Sequence, residues 1–302
     1  MNQGSVSAFV VPQSREVSRA ALYPISPGQL SVLRRNEGCH VVYHQQRYWM
    51  EAPRGFYQPI HWMARHGIEQ AVAPRRWAWG FRSSLNEEAA ATQSNGSVPV
   101  HLLADLSTYT FDNFSSGRRY HLRRSRKRAV IVELLGPALL HAEGFAVMQS
   151  ARERTGYGEI GSRDDYDAMI EKHVDPLRRL VLAGMVNGRL GGYLGGIACG
   201  ETAYIDYVHI ANEALSSSLG TGLVYEFVEA CRRSGFIKEI VYGLHTPEDP
   251  ALCTFKAGIG FPVCHIHSKV RMNPVAARFV RMRYPHRFYR LIGENLGSRP
   301  RA

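Results

Sequence analysis

The run TAYIDYVHI, residues 202–210, sets one carboxylate and one imidazole in an otherwise apolar, strand-like stretch. A period of two puts Tyr204, Asp206 and Val208 on one face and Ile205, Tyr207 and His209 on the other. Asp206 is the first candidate for a general base and His209 the second. The competing roles are a structural carboxylate paired with an arginine and a satisfied, half-buried histidine. The stretch that follows, SSSLGTGL at 216–223, offers backbone rather than side chains. A helix start leaves amide N–H groups without partners and carries about half a positive charge, so it stabilises an anion. Gly220 and Gly222 remove Cβ bulk, while Ser216, Ser217 and Ser218 supply hydroxyls and a cap, so the segment is suited to cradle a diphosphate. The competing role is a plain helix cap at a tight strand-to-helix turn. A nucleotide-hydrolysing P-loop does not fit, because Leu223 and Val224 stand where Lys and Ser or Thr are needed. A dinucleotide fingerprint lacks its third glycine, since Tyr225 occupies that place.

Charge is the second source of chemistry. The chain of 302 residues has a formal net charge of +11, which points to an anionic partner such as nucleic acid, a phosphorylated cofactor or a membrane surface. RRYHLRRSRKR, 118–128, holds seven Lys or Arg and no acid, and Arg278, Arg281, Arg283, Arg287, Arg290, Arg299 and Arg301 face Glu294 alone in the tail. Either segment can be a solvated basic helix face or a surface that tracks phosphates. Cys264, His265 and His267 raise the question of a metal, but no second cluster completes the ligand set, so no metal is expected. The five cysteines are odd in number and never in a C-x-x-C pair, which reads as reduced packing thiols. No apolar run approaches a membrane span and the opening residues lack a leader pattern, so the expected location is the cytoplasm.

The elements that would carry these groups follow from pattern. Residues 1–105 form a smaller, irregular β-rich region, with strand-like runs HVVYHQQRYWM and VPVHLLADL, a polar loop NEEAAATQSNGS, and a small aromatic core around Trp49, Trp62, Trp77 and Trp79. From Phe111 a basic helix capped at Asp112, Ser115 or Ser116 leads into AVIVELL, a buried strand. Helices from Pro137 and over 164–174 follow, then a three-stranded antiparallel meander turning at Asn187-Gly188 and Gly200-Glu201. Leu219, Leu223, Phe227 and Cys231 make one stripe of a helix that Gly235 ends. Strand KEIVYGL, a helix from Thr246-Pro247 to Gly258, and strand FPVCHIHSKV complete an α/β layer. The division expected is 1–105, 106–275 and a basic helix or tail at 276–302.

At SSLGTG the sequence resembles the GNAT superfamily of acyl-coenzyme A transferases, whose phosphate loop reads [RQ]-x-x-G-x-[GA]; the match fails only at Ser217. FKAGIGF, 255–261, matches a later helix ending in Gly-Phe, and the likeness spans roughly residues 112–272. FSSGRRYHLRRSRKR and the pair Phe255-Lys256 are similar to the Fem-type branch of peptide-bridge aminoacyltransferases. The resemblance implies a mixed, mostly antiparallel central sheet flanked by helices. It implies that amides from Ser217 through Leu223 (Ser217, Ser218, Leu219, Gly220, Thr221, Gly222, Leu223) hold the donor, and that amides at Val208 to Ile210 face the developing oxyanion. It makes Lys256 an acid for the leaving thiolate, or a neutraliser of negative charge, against a solvated-surface role. It assigns Arg118, Arg119 and Arg123 to an acidic acceptor or donor end. The function expected is N-acyl transfer from acetyl- or another acyl-coenzyme A to a small-molecule or peptide amine. The alternatives are an aminoacyl-tRNA donor and a non-catalytic nucleic-acid-binding module on a decayed scaffold.

Overall fold

A computed structural model describes residues 11–156, 158 and 160–293; Glu294, Arg299 and Arg301 lie outside them. In chain order the first elements are β1 (Ser14–Glu16), α1 (Pro27–Asn36), β2 (Val41–His44), β3 (Arg47–Glu51), β4 (Phe56–Pro59), β5 (Gly80–Ser84), α2 (Glu87–Gln93) and β6 (Gly96–Leu103). Next come α3 (Ser116–Arg128), β7 (Val130–Leu134), α4 (Phe145–Thr155, preceded by a π-helical turn Leu140–Gly144) and α5 (Arg163–His173). β8 (Leu180–Val186), β9 (Arg189–Cys199), β10 (Thr202–Ile210) and α6 (Leu219–Ser234) follow. The last are β11 (Glu239–Leu244), α7 (Pro250–Gly258), β12 (Val263–Met272), α8 (Pro274–Arg283) and α9 (Pro285–Ile292). The mixed, mostly antiparallel sheet with flanking helices is the architecture expected.

The chain divides into two compact units: Met1–Pro24 with Leu106–Ala198 and Ile205–Ile237, and Ile25–Asp105 with Cys199–Tyr204 and Lys238–Ala302. In the first, β1 pairs with β7, β7 with β8 and β8 with β9, all antiparallel, and β9 neighbours the rest of β10. The hairpin falls where Asn-Gly required it: Asn187 and Gly188 have φ of 52° and 76°, left-handed values that suit this pair. The core between sheet and helices gathers Leu134, Leu140, Met148, Tyr166, Ile170, Val181 and Tyr193. The predicted stripe of α6 is fully buried at Leu219, Leu223, Phe227 and Cys231, and Gly235 ends the helix in the left-handed region.

In the second unit the first residues of β10 run parallel to β11, pairing Thr202–Tyr204 with Glu239–Val241. β6 is antiparallel to both β11 and β12, β12 to β5, and β2–β3–β4 continue the sheet. Three expectations change here. NEEAAATQ is the helix α2 and not a loop: Asn86 accepts from the Ala89 amide and two glutamates sit in the first turn, where the helix dipole favours them. The helix after β11 opens at Pro250, not at Thr246-Pro247, because Asp249 supplies the cap. Trp49 is core at 1% exposure, but Trp77 is 89% exposed beneath the Arg76 guanidinium.

Candidate functional site

The start of α6 is built by packing from below. A Cβ at Gly184 would lie 2.2 Å from Leu219 Cδ1, and at Gly191 or Gly192 within 3.2 Å of Leu219 Cδ2. These glycines of β8 and β9 form a notch that takes the Leu219 side chain and so fixes where the helix begins. Ser218, the residue before it, has φ 61° and ψ 27°, a left-handed conformation that a non-glycine residue adopts at a price of about 1–3 kcal/mol. No side chain caps α6.

The amides of the loop divide into two groups. Ser218 N–H donates to Leu215 O, and Thr221 and Gly222 N–H both donate to Ser218 O. The Leu219 and Gly220 amides have no protein acceptor among the described residues. Of the hydroxyls, buried Ser217 Oγ donates to Ala214 O at 2.6 Å and Ser218 Oγ meets His121 Nδ1 at 3.0 Å. Thr221, Gly222 and Leu223 are buried. Gly222 has a different reason from the one expected: the place of its Cβ is 2.1 Å from Ser125 Oγ, so the missing side chain admits the basic helix α3 rather than a ligand.

That helix lies along the same site. Ser115 caps it by accepting from the Arg118 amide, and Leu122 and Ser125 face inward. Arg118 lies over the Phe114 ring at 4.7 Å and Arg123 over Phe111 at 5.2 Å, which orders both guanidiniums. Arg119 Nη1 reaches Asp112 O, and Arg128 Nη1 reaches Ser216 O at 3.5 Å. Among the described residues no carboxylate is within ion-pair distance of Arg119, Arg123, Arg124, Lys127 or Arg128. The uncapped end of α6 therefore sits beside a row of uncompensated cations.

The acid–base candidates are placed differently. Asp206 Oδ2 accepts from Arg179 Nη1 at 2.6 Å, and the Arg179 side chain is wholly buried, so the carboxylate has the structural partner that was the competing role. His209 lies in an aromatic stack, its ring 5.1 Å from Tyr193 and 5.9 Å from Tyr207. Burial first, and Arg152 second, push its pKa down to about 4, so the ring is neutral at pH 7. Val208 is half-buried, and the Ile210 carbonyl accepts from Arg154 Nη1 at 3.0 Å. Lys256 belongs to the second unit, in α7, with its ammonium 4.7 Å from the Tyr242 ring; burial pulls its pKa down to about 8. It is 6% exposed, which removes the solvated-surface role.

Two features escaped the sequence. In the second unit a polar cleft of about 460 Å³ is lined by His61, Arg65, Thr202, Lys238 and Glu239; no motif or spacing marks it. α8 exposes Val275 (80%), Phe279 (62%) and Met282 (74%) between arginines, whereas α9 buries Phe288, Tyr289, Leu291 and Ile292. Phe279 and Met282 share the stretch RFVRMRYPHRFYR with Phe288 and Tyr289, and only packing separates the exposed pair from the buried one. No helix among the described residues is long and apolar enough to cross a membrane.

No family model matches this sequence, and no curated protein matches it. Solved structures do. FemX shares 9% identity with a TM-score of 0.61, covering 87% of this chain and 96% of FemX. The C-terminal domain of a protein assigned as a lysylphosphatidylglycerol synthetase from Agrobacterium fabrum shares 13% at a TM-score of 0.58, covering 88% and 95%. L-PGS from Bacillus licheniformis shares 10% at 0.52, covering 91% and 99%. This chain shares its fold with these three structures, and the mixed, mostly antiparallel sheet flanked by helices expected from the sequence is the one observed.

Proposed function

We propose that this chain is an acyltransferase that seats the phosphate of an activated acyl donor on the first turn of α6 and passes the acyl group to an amine by direct attack, with residues 106–275 as the transferase region. The reading is carried by one observation: among the described residues the Leu219 and Gly220 amides have no protein acceptor, at an uncapped helix start flanked by α3. An anion there gains from both the amides and the cations. Amides around Val208 and Ile210 are the proposed oxyanion donors. No dedicated base is required, because alignment of the two reactants alone can supply about 7–11 kcal/mol. Asp206 is committed to Arg179, and an imidazole with a pKa of about 4 is a weak proton acceptor.

The carrier is the finer part of the proposal. Acyl-coenzyme A needs a slot for one diphosphate. An aminoacyl-tRNA needs a track of cations, and the run Arg119, Arg123, Arg124, Lys127 and Arg128, with no carboxylate in ion-pair distance among the described residues, favours this second carrier.

The test offers acetyl-coenzyme A and charged tRNA separately to the full chain and to Gly220→Glu. The substitution brings a carboxylate to the anion's place, yet a glutamate in a first helical turn is compatible with folding. We expect charged tRNA to bind and to donate its acyl group to an amine, with each of Arg123→Ala and Lys127→Ala lowering the salt slope of binding by about 1. Gly220→Glu should abolish both binding and transfer. Protection and turnover with acetyl-coenzyme A alone would move the assignment to the first carrier. Binding without transfer from either, or a fully active Gly220→Glu, would remove the transferase reading.

A further inference from the structure

We propose that His101, His245 and Cys253 of the second unit form a transition-metal site, a two-imidazole, one-thiolate set suited to zinc. One nitrogen of each imidazole and Cys253 Sγ lie within 4.8 Å of one another. The three residues come from β6, from the residue after β11 and from α7, so the site exists only where these elements meet.

His101 makes the case. It is 0% exposed, and its Nδ1 lies 2.9 Å from the Phe261 carbonyl oxygen. A carbonyl oxygen only accepts, so Nδ1 carries the proton and Nε2 holds a bare lone pair. That Nε2 is buried with no hydrogen-bond partner among the described residues, an omission that ordinarily costs about 1–3 kcal/mol. His245 is held similarly on one side: its Nδ1 is 2.7 Å from Tyr289 Oη, a hydroxyl that can accept from Nδ1–H and so leave Nε2 for a metal. The two rings meet edge to face with centroids 5.5 Å apart. Metal-ligating histidines ordinarily hold their second nitrogen on an outer partner in this way, which sets tautomer and ring direction.

Cys253 Sγ donates to Thr246 O at 3.2 Å. On binding, the thiol proton leaves to solvent, the thiolate takes one coordination bond, the two imidazole lone pairs take two, and water takes the fourth. Zn–N bonds of about 2.0–2.1 Å and Zn–S of about 2.3 Å put tetrahedral ligand atoms roughly 3.3–3.6 Å apart, so the present set, all within 4.8 Å, contracts by no more than about 1.5 Å. Lys256 acts against the cation, since its charge is felt at both His101 and Cys253. The site should therefore bind more tightly in Lys256→Met.

The test titrates the chelator-treated full chain with Zn²⁺, and with Co²⁺ as a spectroscopic probe. We expect one equivalent bound, release of about one proton, and a thiolate-to-cobalt charge-transfer band. Cys253→Ser and His245→Gln should each weaken binding on the order of a hundredfold, and Lys256→Met should strengthen it several-fold, while His265→Ala should change nothing. Circular dichroism establishes that each variant is folded. A folded parent that gives no charge-transfer band would overturn the proposal, as would uptake equal in Cys253→Ser and the parent, which would place the metal on surface histidines.

Discussion

Gly222→Ala tests how the site is held together. The added Cβ would stand 2.1 Å from Ser125 Oγ, 3.0 Å from Ser125 Cβ and 3.1 Å from Ile131 Cδ1. Among the described residues Ser125 Oγ has no hydrogen-bond partner, so its hydroxyl can rotate away, but the other two contacts persist. Overpacking of this kind costs about 1–3 kcal/mol, and alanine over glycine in a helix returns about 1 kcal/mol. The expected net loss is about 1 kcal/mol. In a Ser125→Ala background the worst contact is gone before the methyl arrives, so the same change should become nearly neutral, giving a coupling of about 1 kcal/mol between the two positions. Urea denaturation of the parent, both single variants and the double variant measures this cycle. The single variant should also weaken donor binding, because α3 must back away from α6 and the His121–Ser218 contact at 3.0 Å opens. If Gly222→Ala alone stabilised the chain by the full helical gain of about 1 kcal/mol, α3 would not be wedged against α6 and the account of this glycine would fail.

Two further outcomes are expected. Asp206→Ala should destabilise the chain by about 1.5–3 kcal/mol, since it removes a charged hydrogen-bond acceptor from the buried Arg179 guanidinium, and Asp206→Asn by less; a purely catalytic carboxylate would instead lose activity with its melting temperature unchanged. Acid should destabilise the fold between about pH 6.5 and pH 4. Burial holds His101 and His209 at pKa values of about 4, below their unfolded values, so the unfolded chain binds more protons in that window and stability, complete above it, falls by up to about 1.4 kcal/mol per pH unit for each. His141 works in the opposite sense, raised by Asp167 and then Glu171, and its contribution is lost as pH rises. Replacing His209 by Phe should flatten the acid limb of a stability-versus-pH curve; an unchanged limb would show that this ring is not held neutral.

What one stretch of chain decides about itself was readable from its residues. The α6 stripe, its Gly235 end, the Asn187-Gly188 hairpin and the Ser115 cap follow from periods and backbone preferences acting over a few residues. So did the Fem-type likeness, which rests on short motifs. The serine cap expected for α6, by contrast, is not made, because Ser217 Oγ turns to Ala214 O and Ser218 Oγ to His121. Some local signals were there and weaker: the Ser26–Gln29 capping box of α1 precedes only a short apolar pair, Leu30 and Leu33, and the Asn86 cap of α2 lies in polar, alanine-rich text with no apolar stripe to announce a helix. Other facts belong to the tertiary structure alone. The spacing of glycines in β8 and β9 says nothing about Leu219 until α6 packs on them, and Asp206 gives no hint of Arg179, 27 residues earlier. His101, His245 and Cys253 converge only after β6 has paired with β11 and β12. Helix periods and turns are set by neighbours along the chain, whereas burial, ion pairing and ligand geometry depend on which distant segments close together, and that choice is made by the summed packing of the whole core.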